Sequence, residues 1–316
     1  MKHYKIAIIG MGSIGSRHLL NISFVLNQRN NSYSIDLIRS NKGKIISKEL
    51  RDLIDNVYYK YEDVPHGYDV IFISNPTHLH YETLKKYISK TKHIFIEKPI
   101  FDNFGKPIDD LALNSDSVYY VACPLRYTNV IQYLKNELDL SSVYSARVIC
   151  SSYLPEWRPG VDYRNTYSAH AEEGGGVSID LIHEWDYIHY LFGQPEQIHN
   201  FRGKFSDLDI DSDDLSIYIA KYENLMVEVH LDYFGRKTIR EIQLFTNEDT
   251  IIADITGSEI RYLRSNRTIS FDEYRNDFQR KEIAYFFDVL EGKKDNHNEI
   301  TTAIKILKIA KAGSIE

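Results

Sequence analysis

Two domains of different class are predicted: α/β with a parallel sheet over residues 1–122, then α+β with a large, mostly antiparallel open sheet over residues 123–316. Three observations predict them. The chain has 316 residues, about twice the ~150 that one domain usually takes. Up to residue 122, short apolar runs alternate with segments at helical spacing, the mark of parallel βαβ units whose strands are covered on both faces. After residue 123 the runs alternate apolar with polar and follow one another without intervening helices, as in a sheet with one wet face.

Ile6, Ala7, Ile8 and Ile9 form the first strand, ending at Gly10, and Ile14, His18, Ile22, Val25 and Leu26 then recur at helical spacing. Ile35, Leu37 and Ile38 make the next strand, and Asp69 to Ser74 another. Tyr81 to Ser89 reads as a helix with Leu84 and Ile88 inward, before strands at His93 to Ile96 and Val118 to Val121. Asn129 to Leu138 reads as a helix. Strands follow over Val143 to Tyr153, Leu215 to Tyr222, Leu225 to Tyr233, Ile239 to Thr246, Thr250 to Asp254 and Glu259 to Arg264. Helical spacing returns at Ile283 to Leu290 and again through Ile300, Ile304 and Leu307. A C-terminal helix is expected to pack back on the first domain.

Composition excludes several classes. Thirty-eight Lys+Arg against 45 Asp+Glu give a net charge of -7, the wrong sign for coating nucleic acid. Cys123 and Cys150 are too few for a disulfide framework. The N-terminal apolar run is too short for a signal peptide, and no apolar stretch reaches the ~18 residues of a membrane span. A reduced, cytoplasmic protein with no membrane and no nucleic-acid partner is expected. Tyrosine is abundant, 24 against 14 Phe and 2 Trp. Codon bias accounts for this, or else a polar site that uses rigid rings carrying hydroxyl groups.

Gly10-Met11-Gly12-Ser13-Ile14-Gly15 is a G-x-G-x-x-G run between a strand and a helix, the setting in which that spacing means dinucleotide binding. Gly10 makes the tight turn, Gly12 lets a pyrophosphate approach the backbone, and Gly15 allows close helix–strand packing. Free N–H groups at the start of the helix, including those of Ser13 and Ile14, bind the anion. The second strand ends in Arg39-Ser40 rather than an acid, and Arg39 lies 24 residues past Gly15. An arginine there meets a ribose 2′-phosphate, which favours NADP over NAD. Asp36 lies within the strand and points elsewhere. The aspartates at 207, 209, 211, 213 and 214 imitate a calcium loop, but Ser212 and Tyr218 stand where its Gly and Glu belong. His78 and His80 have no partners for a ligand set. No metal is expected.

Three further blocks carry a resemblance: Asn75-Pro76-Thr77-His78-Leu79-His80, Glu97-Lys98-Pro99, and Gly174-Gly175-Gly176 leading into Asp180, His183 and Asp186. In this order they resemble the signatures of the Gfo/Idh/MocA oxidoreductases over essentially the whole chain. The resemblance implies a Rossmann domain followed by an α+β domain. It also implies oxidation or reduction of a hydroxyl/ketone carbon of a sugar or polyol with NAD(P). Lys98 takes the position of the catalytic lysine, before a proline often preceded by a cis bond. Asn75, Pro76, Thr77 and His80 line the cofactor cleft, and Glu97 lies near the nicotinamide ribose. Other readings are an NAD(P)-binding sensor without catalysis and an enzyme that uses bound NAD catalytically in glycoside cleavage.

Hydride transfer from an alcohol requires a base for the O–H proton and a donor to the developing alkoxide. His183 is assigned as the base, Lys98 as the cationic donor and Asp180 as the group that orients them. Asp180 and His183, three apart, are expected on one helix face. The commoner family spacing has three residues between Asp and His, whereas here only Leu181 and Ile182 intervene. Trp157, Arg158, Tyr163 and Arg164 lie in a loop suited to a hydroxyl-rich or anionic substrate, and Arg126-Tyr127 follow the sixth strand at a hinge position, where they are expected to touch cofactor or substrate. This loop also resembles members found among bacterial surface-glycan enzymes, which suggests a sugar with an acidic or nucleotide group. The broad second sheet leads to an expected homodimer or homotetramer.

Overall fold

The computed structural model describes residues 2–41, 45–311 and 314–315. Its elements run β1 (His3–Ile9), α1 (Ser13–Gln28), β2 (Ser32–Ile38), α2 (Lys48–Arg51), β3 (Val57–Tyr58), β4 (Tyr68–Ile73), α3 (His80–Tyr87), β5 (Thr91–Ile96) and β6 (Tyr119–Val121). They continue with α4 (Asn129–Glu137), β7 (Val143–Tyr153), α5 (Val177–Asp180), α6 (His183–Phe192), β8 (Gln197–Gly203), β9 (Leu215–Lys221), β10 (Met226–Asp232) and β11 (Phe234–Thr246). The last are β12 (Thr250–Asp254), β13 (Glu259–Tyr262), β14 (Arg267–Ser270), α7 (Asp277–Leu290), α8 (Ile300–Lys311) and β15 (Ser314–Ile315).

The chain divides into a first unit, Met1–Ala122 with Gln279–Ile304, and a second unit, Cys123–Phe278 with Lys305–Glu316. Among the described residues the first unit holds a sheet ordered β3-β2-β1-β4-β5-β6, parallel throughout. Its central strands are apolar on both faces because both are covered: Ile6, Ala7, Ile8, Val70, Ile71, Phe72, Ile94 and Phe95 are all fully buried. Part of that cover comes from α7. Phe286 packs its ring 5.2 Å from Phe95, 5.4 Å from Tyr120 and 5.7 Å from Phe72, while the Tyr4 hydroxyl donates to Glu291 at 2.8 Å.

The second unit is built on a sheet ordered β14-β13-β12-β11-β7-β10-β9-β8-β15. Every pairing is antiparallel except β7 with β10. Alternation decides which face is covered. Along β9 Ser216, Tyr218 and Ala220 are buried while Ile217 is half-buried and Ile219 exposed. Part of the tyrosine surplus goes into these interiors. Tyr4, Tyr68, Tyr120, Tyr187, Tyr218 and Tyr233 are among the largest fully buried side chains. Tyr68 gives its hydroxyl to Asp36 at 2.7 Å and Tyr218 to the Ala310 carbonyl at 2.8 Å, so these two buried phenols keep partners, whereas the Tyr187 hydroxyl is buried without one among the described residues. Cys123 and Cys150 are buried and not joined in a disulfide.

Candidate active site

In the first unit the strand order turns back between β1 and β4, and an open α/β sheet binds ligands outside the carboxyl ends of its strands at such a point. Three loops lie at this end, after β1, β4 and β5. The first is shaped by two glycines. Gly10 takes φ +94, a left-handed conformation that glycine adopts without penalty, and its N–H reaches the Ile38 carbonyl at 3.0 Å. A Cβ on Gly15 would collide with the Gly10 carbonyl oxygen. Ser74 cross-links the loops from below, donating its hydroxyl toward Ile9 and Gly10 carbonyls at 3.0 and 3.1 Å.

Gly12 differs from these, because a Cβ there meets no protein atom within 4 Å. Nothing inside the fold requires glycine at this position. It does leave the backbone open at the N-terminus of α1, where no side chain caps the first turn. Ser13 is exposed and Ile14 half-buried beside it. Open N–H groups on a 16-residue helix, fronted by a glycine with free space above it, fit a dinucleotide pyrophosphate.

The loops after β4 and β5 are joined by His80, which is buried. Its Nε2 lies 2.9 Å from the Asn75 carbonyl, and its Nδ1 3.1 and 3.2 Å from those of Pro99 and Ile100. Burial lowers its pKa, against the pull of those carbonyls. His80 therefore braces the loops from within rather than presenting its ring to a cleft. Asn75 Nδ2 donates to Thr83 at 2.8 Å, while Pro76 is exposed and Thr77 half-buried.

Glu97 and Lys98 follow directly on β5, and the Lys98–Pro99 peptide is cis. Glu97 is met from α1 by His18, whose Nε2 lies 2.5 Å from Oε1; its Oε2 accepts the Lys98 N–H at 3.2 Å. Burial raises the Glu97 pKa, but the His18 hydrogen bond and the charges of His18 and Lys98 outweigh this and leave it below the ordinary value. The His18 ring is fixed against Phe95 and Phe72 at 5.1 and 5.6 Å. Sequence spacing marked His18 only as an inward position of the first helix; its partner is 79 residues away. At the end of β2, Arg39 is half-buried and Ser40 exposed. Asp36 is buried and committed to Tyr68 and to Asn56 Nδ2 at 2.9 Å.

In the second unit one sequence expectation is corrected. Asp180 and His183 do not share a helix face. Asp180 ends α5, Leu181 leaves helical geometry at φ -98, ψ 28, and His183 begins α6. The short α5 is fixed by its entry: Gly176 has φ +123, and Asp213 accepts the Ser178 N–H at 3.1 Å while its carbonyl accepts that of Val177. The Asp180 carboxylate is buried and accepts the Tyr233 hydroxyl at 2.7 Å. Tyr167 hydrogen-bonds the same carboxylate. Burial first, then the Asp180 charge, keeps both phenols above their ordinary pKa, so both remain donors. Tyr233 was hidden in the sequence as the end of an apolar strand.

His183 is half-buried at the start of α6, and the residues after it are locked on two sides. Glu184 meets Arg240 of β11 at 2.7 Å. Asp186 takes a two-toothed fork from Arg126, Nε at 2.9 Å and Nη2 at 2.7 Å. Arg126 was expected to touch substrate; it is instead a buried clamp on α6, beside a half-buried Tyr127. In the loop after β7, Trp157 donates to Ser152 at 2.9 Å and stands edge-on to Tyr233 at 5.2 Å. Tyr163 accepts the Asp209 N–H at 3.1 Å. Arg164 closes its fork on Asp162 at 2.7–3.1 Å, while Arg158 is exposed with its guanidinium over the Tyr167 ring. The aspartates after β8 serve the backbone: Asp211 accepts from Ala171 N at 2.7 Å, and Asp214 from Phe205 and Ser206. Among the described residues no group of three His, Cys, Asp or Glu side chains is arranged to hold a metal.

Residues 4–111 match the family described as "Oxidoreductase family, NAD-binding Rossmann fold", labelled Gfo/Idh/MocA. The chain is 25% identical over 321 residues to the uncharacterized oxidoreductase YrbE of Bacillus subtilis, covering 96% of this chain and 85% of that protein. It is 22% identical to myo-inositol 2-dehydrogenase of Thermotoga maritima, covering 96% and 88%. Among solved structures it resembles levoglucosan dehydrogenase in complex with NADH and levoglucosan, with TM-score 0.81 and 17% identity over 98% of this chain and 95% of that one. This last likeness establishes the two-domain fold.

Proposed function

We propose that this chain, which belongs to the Gfo/Idh/MocA oxidoreductase family, transfers a hydride between a bound nicotinamide dinucleotide and a hydroxyl/ketone carbon of a sugar or polyol. The observation that carries this reading is the glycine loop at the strand-order reversal, open above Gly12, in the same unit as the Glu97-Lys98-Pro99 turn that His18 and His80 brace. Gly12, Ser13, Ile14 and Gly15 hold the pyrophosphate. The nicotinamide, when bound, accepts or gives the hydride.

The remaining work falls to side chains. Lys98 donates a hydrogen bond to the reacting oxygen and offsets the alkoxide charge that develops there. His183 takes the hydroxyl proton in the oxidative direction and returns it in the reductive one. Asp180, held by Tyr167 and Tyr233, orients these groups. The polyol and sugar dehydrogenases with which the chain aligns support this substrate class.

The cofactor preference proposed is NADP. Asp36 is spent on Tyr68 and Asn56, which leaves Arg39 at the end of β2 to meet a 2′-phosphate. The open face of the second sheet supports a homodimer or homotetramer. No helix among the described residues is long and apolar enough to cross a membrane, and we place the protein in the cytoplasm.

The test is a screen of neutral polyols, acidic sugars and nucleotide-linked sugars with NADP and NAD, followed at the nicotinamide absorbance band. Lys98→Met and His183→Ala are expected to lose at least about a hundredfold in kcat, the scale of general acid–base catalysis, while still binding NADPH. Near-normal turnover by His183→Ala overturns the base assignment. A preference for NAD above about tenfold overturns the reading of Arg39, as that factor is worth about 1.4 kcal/mol. Substrate consumption with no net absorbance change assigns the chain to catalytic use of bound NAD instead.

A further inference from the structure

A histidine paired with a carboxylate is a costly way to fill the space between α1 and the first sheet. The His18 and Glu97 side chains are only 6% and 12% exposed, and replacing a buried ionisable pair by apolar residues of like volume is often neutral or stabilising. Packing alone therefore does not account for the pair. The register of β5 shows how the two meet. Phe95 and Glu97, two apart, lie on one face of the strand, and the Glu97 N–H continues the ladder to the Ile73 carbonyl at 2.9 Å. His18 comes down on that face, with its ring 5.1 Å from Phe95 and its Nε2 2.5 Å from Glu97 Oε1.

Glu97 is held below its ordinary pKa, so it stands as a carboxylate that only accepts, and His18 is the donor. Its two oxygens serve different elements. Oε1 takes the imidazole from the helix, and Oε2 takes the Lys98 N–H at 3.2 Å. One residue past Lys98, the Pro99 carbonyl lies 3.1 Å from His80 Nδ1. The backbone that carries the Lys98 side chain is thus held at its own N–H and again just beyond it.

The other end of this link is the cofactor helix. His18 follows Ser13 by five residues on the 16-residue α1, a rise of about 7.5 Å along the axis, and the open N–H groups at that end are the ones that take the pyrophosphate. One stiff element therefore reaches both the cofactor and, through a carboxylate, the catalytic turn. We propose that His18 is a positioning residue for hydride transfer, which through Glu97 registers Lys98 to the helix that holds the cofactor. The proposal rests on the roles given above to Lys98 and the glycine loop, and adds a residue to that machinery. His18 acts only through Glu97, yet a misplacement of about 1 Å far from the chemistry can cost about a hundredfold in rate.

The experiment compares three substitutions in the full chain, with NADP(H) and the substrate that turns over in the absorbance screen. His18→Phe keeps a ring against Phe95 and removes the donor. A glutamine amide nitrogen stands about where Nε2 does and an asparagine amide about where Nδ1 does, so His18→Gln keeps the bond to Glu97 and His18→Asn falls short of it. The Phe and Asn variants are expected to lose about tenfold or more in kcat, with NADPH affinity within about twofold, while the Gln variant stays near the parent. In a Lys98→Met background the same losses should shrink to about twofold, since residues that act as one unit are not additive. In a chain isotope-labelled at its lysines, the Lys98 amide, identified by its absence from Lys98→Met, should lose about tenfold or more of its exchange protection in the Phe and Asn variants and keep it in the Gln variant. Unchanged kcat and protection in His18→Phe overturn the proposal, as do equal losses in the Gln and Asn variants. So does a loss that persists in full in Lys98→Met, or a fall in NADPH affinity as large as that in kcat. Should His18→Phe not fold, the contrast between Gln and Asn decides. A parent that binds NADPH but turns nothing over is failure of the oxidoreductase reading, and the Lys98 amide then still decides whether His18 sets the turn.

Discussion

Replacing Arg126 by methionine should destabilise the second unit severely. The guanidinium makes two charge-assisted bonds to Asp186, at 2.9 and 2.7 Å, and the two side chains are only 4% and 10% exposed. Methionine keeps much of the packing volume but strands the carboxylate in a dry site. Breaking a buried pair by removing one partner costs about 3–5 kcal/mol. At about 2–4 °C per kcal/mol for a unit of this size, Tm should fall by about 6–20 °C. Both tryptophans, Trp157 and Trp185, lie in the second unit, so intrinsic tryptophan fluorescence follows its unfolding without interference from the first. The double variant Arg126→Met/Asp186→Leu removes both charges and should recover most of the loss, because apolar replacement of a buried pair is often neutral. A single variant within about 2 °C of the parent, or a double variant no better than the single, would refute the clamp.

Other consequences can be checked separately. Gly15→Ala places a methyl against the Gly10 carbonyl and should weaken NADPH binding more than tenfold, about 1.4 kcal/mol, in a fluorescence titration; unchanged affinity would show that the loop yields. Tyr233→Phe removes a hydrogen bond to a charged acceptor, worth about 1.5–3 kcal/mol, and should lower kcat about tenfold or more with little change in NADPH affinity. An equal loss of cofactor binding would point to a collapsed fold instead. His93 accepts the Val118 N–H on Nδ1 at 3.0 Å, and burial first, then the Lys92 and Lys2 charges, lower its pKa to about 4. The folded chain thus disfavours the protonated ring. This contribution is complete above the ordinary value of 6.5 and is lost as pH falls toward 4, about 2 kcal/mol by pH 5. The protection of the amides around Val118, measured against the intrinsic exchange rate at each pH, should fall over that window, and His93→Asn, which keeps an acceptor that does not titrate, should flatten the response.

The parallel unit was legible because burial on both faces writes uninterrupted Ile, Val and Phe runs into β1, β4 and β5. The strands missed lack such runs. β8 (Gln197–Gly203) buries only Ile198, and β3 contributes just Val57 and Tyr58. Of the site, the glycine loop and the Lys98 turn could be read because their chemistry lies in consecutive residues. His18 and Tyr233 could not, because their partners are distant in sequence or their surroundings are apolar. Spacing misled at Asp180 and His183, where a three-residue interval suggested one helix. The geometry at Leu181 ended α5 and began a new helix at His183. Arg164 read in sequence as a fork for an anionic substrate and Arg126 as a hinge contact to cofactor or substrate, and each has an internal carboxylate to bind.

The contribution of α7 to the first unit also governs the order in which the protein can be made. The aromatic face of Phe72, Phe95 and Tyr120 is complete as sequence by residue 120, yet the ring that closes it, Phe286, follows 166 residues later. At about 5–20 residues per second, a ribosome leaves that face uncovered for about 8–33 s. During that interval the nascent sheet is a target for chaperones and for its own neighbours on a polysome. A fragment ending at residue 122 would carry the same uncovered face permanently, so the glycine loop is best studied in a chain that keeps its C-terminal helices.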